Sequence, residues 1–189
     1  MSKAIRDKAK ELLGFGMPKQ AVFDTIVIEH AEAKPKRIAD VVRYLPTLAS
    51  RERYRNLHLL LLGLIVLYGA LRVAQPILAG QVDWALSYRL VSLAPIATVL
   101  LGWSVWRWQG QVFQWVGWMN LLGAPGLLKA LGRLNADTSD TWPIGLSALS
   151  VGIGALALYL AHRVFAKHKV EKDPVGGPER CVFPEEAGR

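Results

Sequence analysis

The sequence is poor in the residue types that usually build covalent cross-links and catalytic centres. Cys181 is the only cysteine among 189 residues, which excludes an internal disulfide and leaves no cysteine-based zinc site. No Ser/His/Asp, Cys/His or paired-carboxylate arrangement is present, and the Gly14-Phe15-Gly16 segment lacks the third glycine and the preceding strand of a dinucleotide loop. We therefore expect no enzyme activity, no cofactor and no metal site.

The first fifty residues also lack the early apolar core of a signal peptide, so we expect the N-terminal segment to be a folded cytosolic domain. Residues 1–55 contain twelve Lys and Arg against seven Asp and Glu, whereas residues 56–165 contain six against three over a stretch twice as long. Such a middle block is too apolar for an ordinary soluble domain. The pI of about 9.8 then indicates contact with the lipid bilayer, with no nucleic acid expected, because the basic residues cluster beside the first apolar run.

Three short amphipathic helices are predicted in the first 45 residues. They cover 3–13, about 18–29, and a segment that starts at Pro35 and closes at Pro46. The apolar residues of their faces are Ile5, Ala9, Leu12, Leu13, Val22, Phe23, Ile26, Val27, Ile38, Val41, Val42 and Leu45. Residues 1–50 are therefore predicted to form a cytosolic three-helix domain, whose small core needs support from the rest of the chain.

Residues 51–165 are predicted to form a four-helix transmembrane bundle, since a hydrocarbon core of ~30 Å needs about 20 apolar residues per helix. The predicted spans are about 57–78, 90–106, 111–128 and 143–162. The third is diluted by polar residues and by the Ala124-Pro125-Gly126 break, so the sequence leaves open whether it crosses fully or re-enters. Residues 166–189 are rich in charge, glycine and proline and are predicted to be a flexible cytosolic tail.

Basic residues in the flanking segments predict the orientation of the spans. With the N-terminus inside, the cytoplasmic flanks hold eight basic residues, Arg51, Arg53, Arg55, Arg107, Arg163, Lys167, Lys169 and Lys172, and the outer flanks hold three, Arg89, Lys129 and Arg133. We therefore expect a bacterial inner (plasma) membrane protein with cytoplasmic N- and C-termini. Arg51, Arg53 and Arg55 precede the first span directly and are predicted to contact the lipid surface.

Arg72 is the charged residue inside the predicted spans. It lies fifteen residues beyond Leu57, about 22 Å along a helix, toward the outer side of the hydrocarbon. Intramembrane charges are costly and usually functional. Arg72 is therefore predicted either to pair with an outer acid, Asp83, Asp137 or Asp140, or to face an anion. The alternative is an arginine that extends to the interface without a specific partner.

The third predicted span carries the amides Gln111, Gln114 and Asn120. At about 100° per residue, Asn120 points about 120° away from Gln114, so the three residues do not form one hydrophilic stripe. Hydrogen bonds between helices are therefore favoured over the lining of a pore.

The fourth predicted span is rich in small residues. Ala148 with Gly152, and Ser150 with Gly154, fit the small-xxx-small pattern that lets two helices approach closely. This helix-packing face serves either the chain's own bundle or a contact with a second copy or another membrane protein. The sequence leaves both possibilities open.

These observations predict an all-α integral membrane protein with a small N-terminal three-helix cytosolic domain and four transmembrane helices. We expect a non-catalytic protein that binds a protein partner or forms a homo-oligomer, for example an immunity protein against a membrane-acting toxin, or a membrane assembly or regulatory factor. No Asp or Glu lies within a predicted span, which gives proton-coupled transport no support. A small oligomeric transporter or channel is the alternative.

Reporter fusions test the four-span arrangement. A fusion after Gly110 follows two spans and is expected to remain cytoplasmic, whereas a fusion after Asp137 follows three and is expected outside. Paired alkaline phosphatase and fluorescent-protein fusions measure both positions. A cytoplasmic signal after Asp137 would contradict a third span that crosses fully.

Overall fold

The computed structural model describes residues 2–78, 98–122, 124–125, 128, 132, 141–165, 167–171 and 180–184. Its helices are α1 (Ser2–Gly14), α2 (Lys19–Glu29), α3 (Pro35–Arg43), α4 (Leu48–Arg53), α5 (Arg55–Leu78), α6 (Gly110–Leu121) and α7 (Thr141–Val164). Residues 98–106 are also helical, and the short strands β1 (Lys169–Glu171) and β2 (Arg180–Val182) follow α7. The described part of the chain is thus predominantly helical, as predicted.

The chain divides into two compact units. The head comprises Met1–Arg55 and Ala161–Arg189, and the apolar unit comprises Asn56–Leu160. The described residues that follow α7 therefore fold with the N-terminal helices.

The core of the head is formed by the helix faces that the sequence predicts. Its buried residues are Ile5, Ala9, Leu13, Val22, Phe23, Ile26, Ile38, Ala39, Val42, Leu45, Cys181 and Phe183. After α1 the chain turns through Gly16, whose φ of 82° is left-handed. The Gly16 N–H donates to Leu13 and the Met17 N–H donates to Leu12, which is the pairing of a Schellman cap, where glycine avoids the steric cost of a Cβ.

Helix α4 is not among the helices predicted from the sequence, which placed Arg51 and Arg53 in a basic segment without assigning secondary structure. The hydroxyl of Thr47 accepts the backbone N–H of Ser50 at 3.3 Å, so Thr47 caps the N-terminus of this short helix. The basic residues before α5 are thus presented by helical turns.

Two described parts of the predicted flexible tail, 167–171 and 180–184, contain regular structure. β1 and β2 pair antiparallel, with Val170 opposite Cys181. The backbone N–H of Phe183 donates to Oε1 of Gln20 on α2 at 2.9 Å, and the Phe183 ring lies 5.8 Å from the ring of Phe23. Burial of this ring among the core residues stabilises the segment against the loss of chain entropy.

Lys19 connects the start of α2 with the end of α7, both within the head. Its side chain is buried, and its Nζ donates to the carbonyl of Val164 at 3.1 Å. The last carbonyls of a helix have no partner within the helix, and a cation is favourable at this negative end of the macrodipole. Lys19 therefore caps α7 inside the head.

The apolar unit exposes more large apolar side chains than the head. They include Leu60, Val66, Val99, Leu100, Trp103, Trp106, Trp115, Trp118, Met119 and Leu122. Within the described residues, Arg55–Gln75 and Trp142–Val164 are long and apolar enough to cross a membrane, with mean hydropathy of 2.1 and 2.0. In the most apolar part of each stretch, 22% and 39% is buried, so most of this part is not covered within the protein. The predicted second and third spans lie partly outside the described residues.

Removal of the Phe183 ring is expected to loosen the head. Phe183→Ala leaves a cavity beside Phe23 in the core of the head. Buried Phe→Ala changes lower the free energy of unfolding by about 3–5 kcal/mol. Because Cys181 is the only thiol and is buried, its reaction rate with an aromatic disulfide reagent measures core opening. The rate should rise by about 100-fold or more. Ile28→Ala, at an exposed position, is the control, and equal rates in both variants would contradict the packing described.

Candidate functional site

A polar cleft between α5 and α7 is the most prominent candidate site in the apolar unit. Tyr68, Arg72 and Gln75 lie on one face of α5 because they are spaced four and three residues apart. Pro143, Leu146, Ser147 and Ser150 repeat a similar spacing on α7. These seven residues line an open space of about 150 Å³, and we call this space the Arg72 cleft.

Arg72 is held in place by its neighbour one turn earlier. Its Nε donates to the hydroxyl of Tyr68 at 3.0 Å, and its guanidinium carbon lies 5.4 Å from the centroid of the same ring. A guanidinium has five N–H donors, so four remain for other partners. Within the part of the chain that the structure describes, Arg72 forms no ion pair with an acid.

The acids predicted as partners of Arg72 are Asp83, Asp137 and Asp140, and all three lie outside the described residues. An Arg–Asp pair therefore stays a prediction.

Helices α6 and α7 approach each other at two glycines. A Cβ built on Gly154 would lie 3.0 Å from the carbonyl oxygen of Gly117 and 3.1 Å from the backbone nitrogen of Leu121. A Cβ on Gly117 would meet Leu158 at 2.5 Å. The two backbones thus pack at a distance that only glycine permits, which is the contact that small residues provide in membrane helices.

A hydrogen bond next to these glycines joins the same two helices. The hydroxyl of Ser150 donates to Oδ1 of Asn120 at 3.0 Å, and Nδ2 of Asn120 donates to the Val116 carbonyl at 2.8 Å. Asn120 thus makes the kind of interhelical bond that the sequence predicts for the amides. Gln111 is exposed and Gln114 is half-buried. Among the described residues, neither forms a hydrogen bond with Asn120.

The predicted small-residue face of α7 is divided in two. Ser150 and Gly154 are buried against α6, whereas Ala148 and Gly152 are exposed. A Cβ on Gly152 would meet nothing within 4 Å. The structure therefore brings together half of the face within the chain and leaves the other half open.

An aromatic cluster near the first turn of α5 is not among the features predicted from the sequence. His58 is 3% exposed, and because a carbonyl can only accept, its Nε2–H donates to Val105 at 2.9 Å. Its ring stacks on Trp108 at 4.0 Å between centroids, and Phe113 completes the cluster at 6.0 Å from His58.

Trp108 adopts a left-handed backbone conformation with φ of 54°. Trp108 N–H donates to Val105 and Gln109 N–H donates to Ser104, so a Schellman cap ends the 98–106 helix with tryptophan where glycine is usual. The conformation costs about 1–2 kcal/mol relative to a right-handed residue, and stacking on His58 offsets it. The turn is therefore fixed by aromatic packing.

The basic residues predicted to contact lipid, Arg51, Arg53 and Arg55, are all exposed. Arg53 lies over the Tyr54 ring with its guanidinium carbon 5.8 Å from the centroid. These side chains are available to a surface of anionic headgroups, and their contact with lipid stays a prediction.

Among the described residues, no group of three or more His, Cys, Asp or Glu could hold a metal ion. Comparison with models of known protein families, with curated proteins and with solved structures finds no match to this chain. The geometry of the chain itself therefore carries the functional argument.

Two alanine substitutions on α7 test the close approach to α6. In Gly154→Ala the new methyl group meets backbone atoms of Gly117 and Leu121, so the helices must separate, at a cost of about 1–3 kcal/mol. In Gly152→Ala the methyl group enters open space, and no loss of stability is expected. Titration with SDS in mixed micelles, followed by tryptophan fluorescence, measures both unfolding free energies. Equal values for the two variants would contradict the glycine contact.

Proposed function

We propose that this chain is a non-catalytic multi-pass inner-membrane protein that acts by binding a protein partner. In this proposal the apolar unit supplies four spans, both termini are cytoplasmic, and the head is the cytosolic domain. The long apolar helices α5 and α7 and the exposed apolar side chains of the apolar unit support a membrane location. Contact with lipid tails is favourable for this apolar surface, whereas its exposure to water is costly.

The division of α7 into two small-residue faces is the observation that carries partner binding. On one face, Ser150 and Gly154 contact α6. On the opposite face, Ala148 and Gly152 are exposed and a Cβ at Gly152 would meet nothing within 4 Å, so another helix can approach the backbone closely there. A transmembrane helix of a partner, or of a second copy, fits such a surface.

An immunity protein against a membrane-acting toxin and a membrane assembly or regulatory factor are the forms of this function that we consider. Both need recognition rather than chemistry, and a helical surface within the bilayer together with a cytosolic domain can supply it. The head provides that domain as a folded unit with its own core.

Site-specific photo-crosslinking in cells tests partner binding. A photoreactive residue in place of Gly152 is expected to give an adduct of one discrete mass. An adduct of twice the 20.9 kDa chain mass identifies a second copy, and any other discrete mass identifies a different protein.

Gly63 provides the matched control, because it is an exposed glycine of α5 whose Cβ would also meet nothing within 4 Å. The same probe at Gly63 is expected to give no discrete adduct. Absence of adducts at Gly152, or the same adducts at both positions, would contradict partner binding through α7. Ion flux through liposomes that contain the protein alone would instead favour a small transporter or channel.

A further inference from the structure

The two helical segments that line the Arg72 cleft carry one charge, which is positive, and no acid among their described residues compensates it. Residues 56–78 and 141–160, which supply both walls, contain Arg72 as their single Lys, Arg, Asp or Glu. An isolated charge at membrane depth costs several kcal/mol unless another group pairs with it. The cleft therefore selects for an occupant with negative charge.

The hydrogen bond to Tyr68 restrains the Arg72 side chain, unlike that of an arginine that extends toward water without a partner. Tyr68 precedes Arg72 by four residues, so the bond draws the guanidinium back toward the start of α5 and not toward its end at Leu78. Arg72 itself lies seventeen residues beyond Arg55, about 25 Å along the helix. The remaining donors are thus held at a fixed place beside the cleft.

The other cleft residues complete a set of donors suited to oxygen atoms. The Tyr68 hydroxyl accepts from Arg72 and keeps its own hydrogen to donate, and the Gln75 amide and the Ser147 hydroxyl line the same space. Pro143 lies in the first turn of α7, whose N-terminus carries partial positive charge. A planar guanidinium surrounded by neutral donors is a typical arrangement for phosphate.

We propose that the Arg72 cleft binds a phosphate group, with the guanidinium as its principal ligand and Tyr68 as the residue that positions it. The volume of about 150 Å³ exceeds the ~30 Å³ that one water occupies in the liquid by about fivefold, so the cleft admits a group of several heavy atoms. The phosphate is that of a phospholipid headgroup or of a soluble phosphoester, and the chemistry at Arg72 is shared. The proposal rests on the membrane location proposed above but not on a protein partner.

Native mass spectrometry of the full-length protein tests whether the bound phosphate belongs to a lipid. The protein is released from detergent after phosphatidylglycerol has been added. Glycerol 3-phosphate, added without lipid, tests the soluble source. Arg72→Gln is expected to lower occupancy of the bound probe by about tenfold or more. Tyr68→Phe is expected to lower it by a smaller factor, because this variant keeps the charge of Arg72 but removes the hydroxyl that positions the guanidinium. Arg107→Gln, an exposed arginine of the same unit that stacks on Trp103, is the control and should bind as the wild type does.

Binding of either probe by Arg72→Gln at the wild-type level would overturn the proposal. A second variant, with Asp83, Asp137 and Asp140 all changed to Asn, separates phosphate from an internal acid. Unchanged binding supports the proposal. Binding about tenfold tighter than that of the wild type would show that an aspartate pairs with Arg72 in the native chain, and would overturn the proposal. The Gly152 crosslink should persist in Arg72→Gln, so failure of the phosphate site and failure of partner binding are distinguishable.

Discussion

The close approach of Gly117 and Gly154 fixes the rotation of α7, and the other features of this helix depend on that rotation. With Gly154 against α6, Ser150 reaches Asn120 and its hydroxyl is satisfied. Ser147, two turns before Gly154, then faces the Arg72 cleft. Gly152 and Ala148 are left on the opposite side. A single backbone contact thus decides which face of α7 is packed, which is polar and which is open.

The head illustrates how far local pattern predicts structure. Apolar spacing gives the core residues of α1, α2 and α3, because an amphipathic helix has one face that can be buried. Glycine and proline give their ends, since Gly16 adopts a conformation that other residues avoid. The strands β1 and β2 escape this reasoning because three residues are too few for a periodic signal. Their position depends on Phe183 and Gln20, which are far apart in sequence.

The candidate site shows the same division between local and long-range information. Hydropathy singles out Arg72, and its partner Tyr68 lies one helical turn away, so the sequence contains both. The contributions of Ser147 and Ser150 depend on how α7 packs, which no local pattern encodes. His58 and Trp108 were missed for a similar reason, because they are fifty residues apart and their stacking needs a left-handed turn at a tryptophan.

The position of Phe183 in the head core bears on how the protein is made. The N-terminal helices leave the ribosome first, but the ring that completes their core follows α7 in the chain. The head therefore cannot reach its final packing until every apolar helix has been synthesised. During that interval the side of α2 that later contacts Phe183 is open, so the core of the head is completed only after α7 has been synthesised.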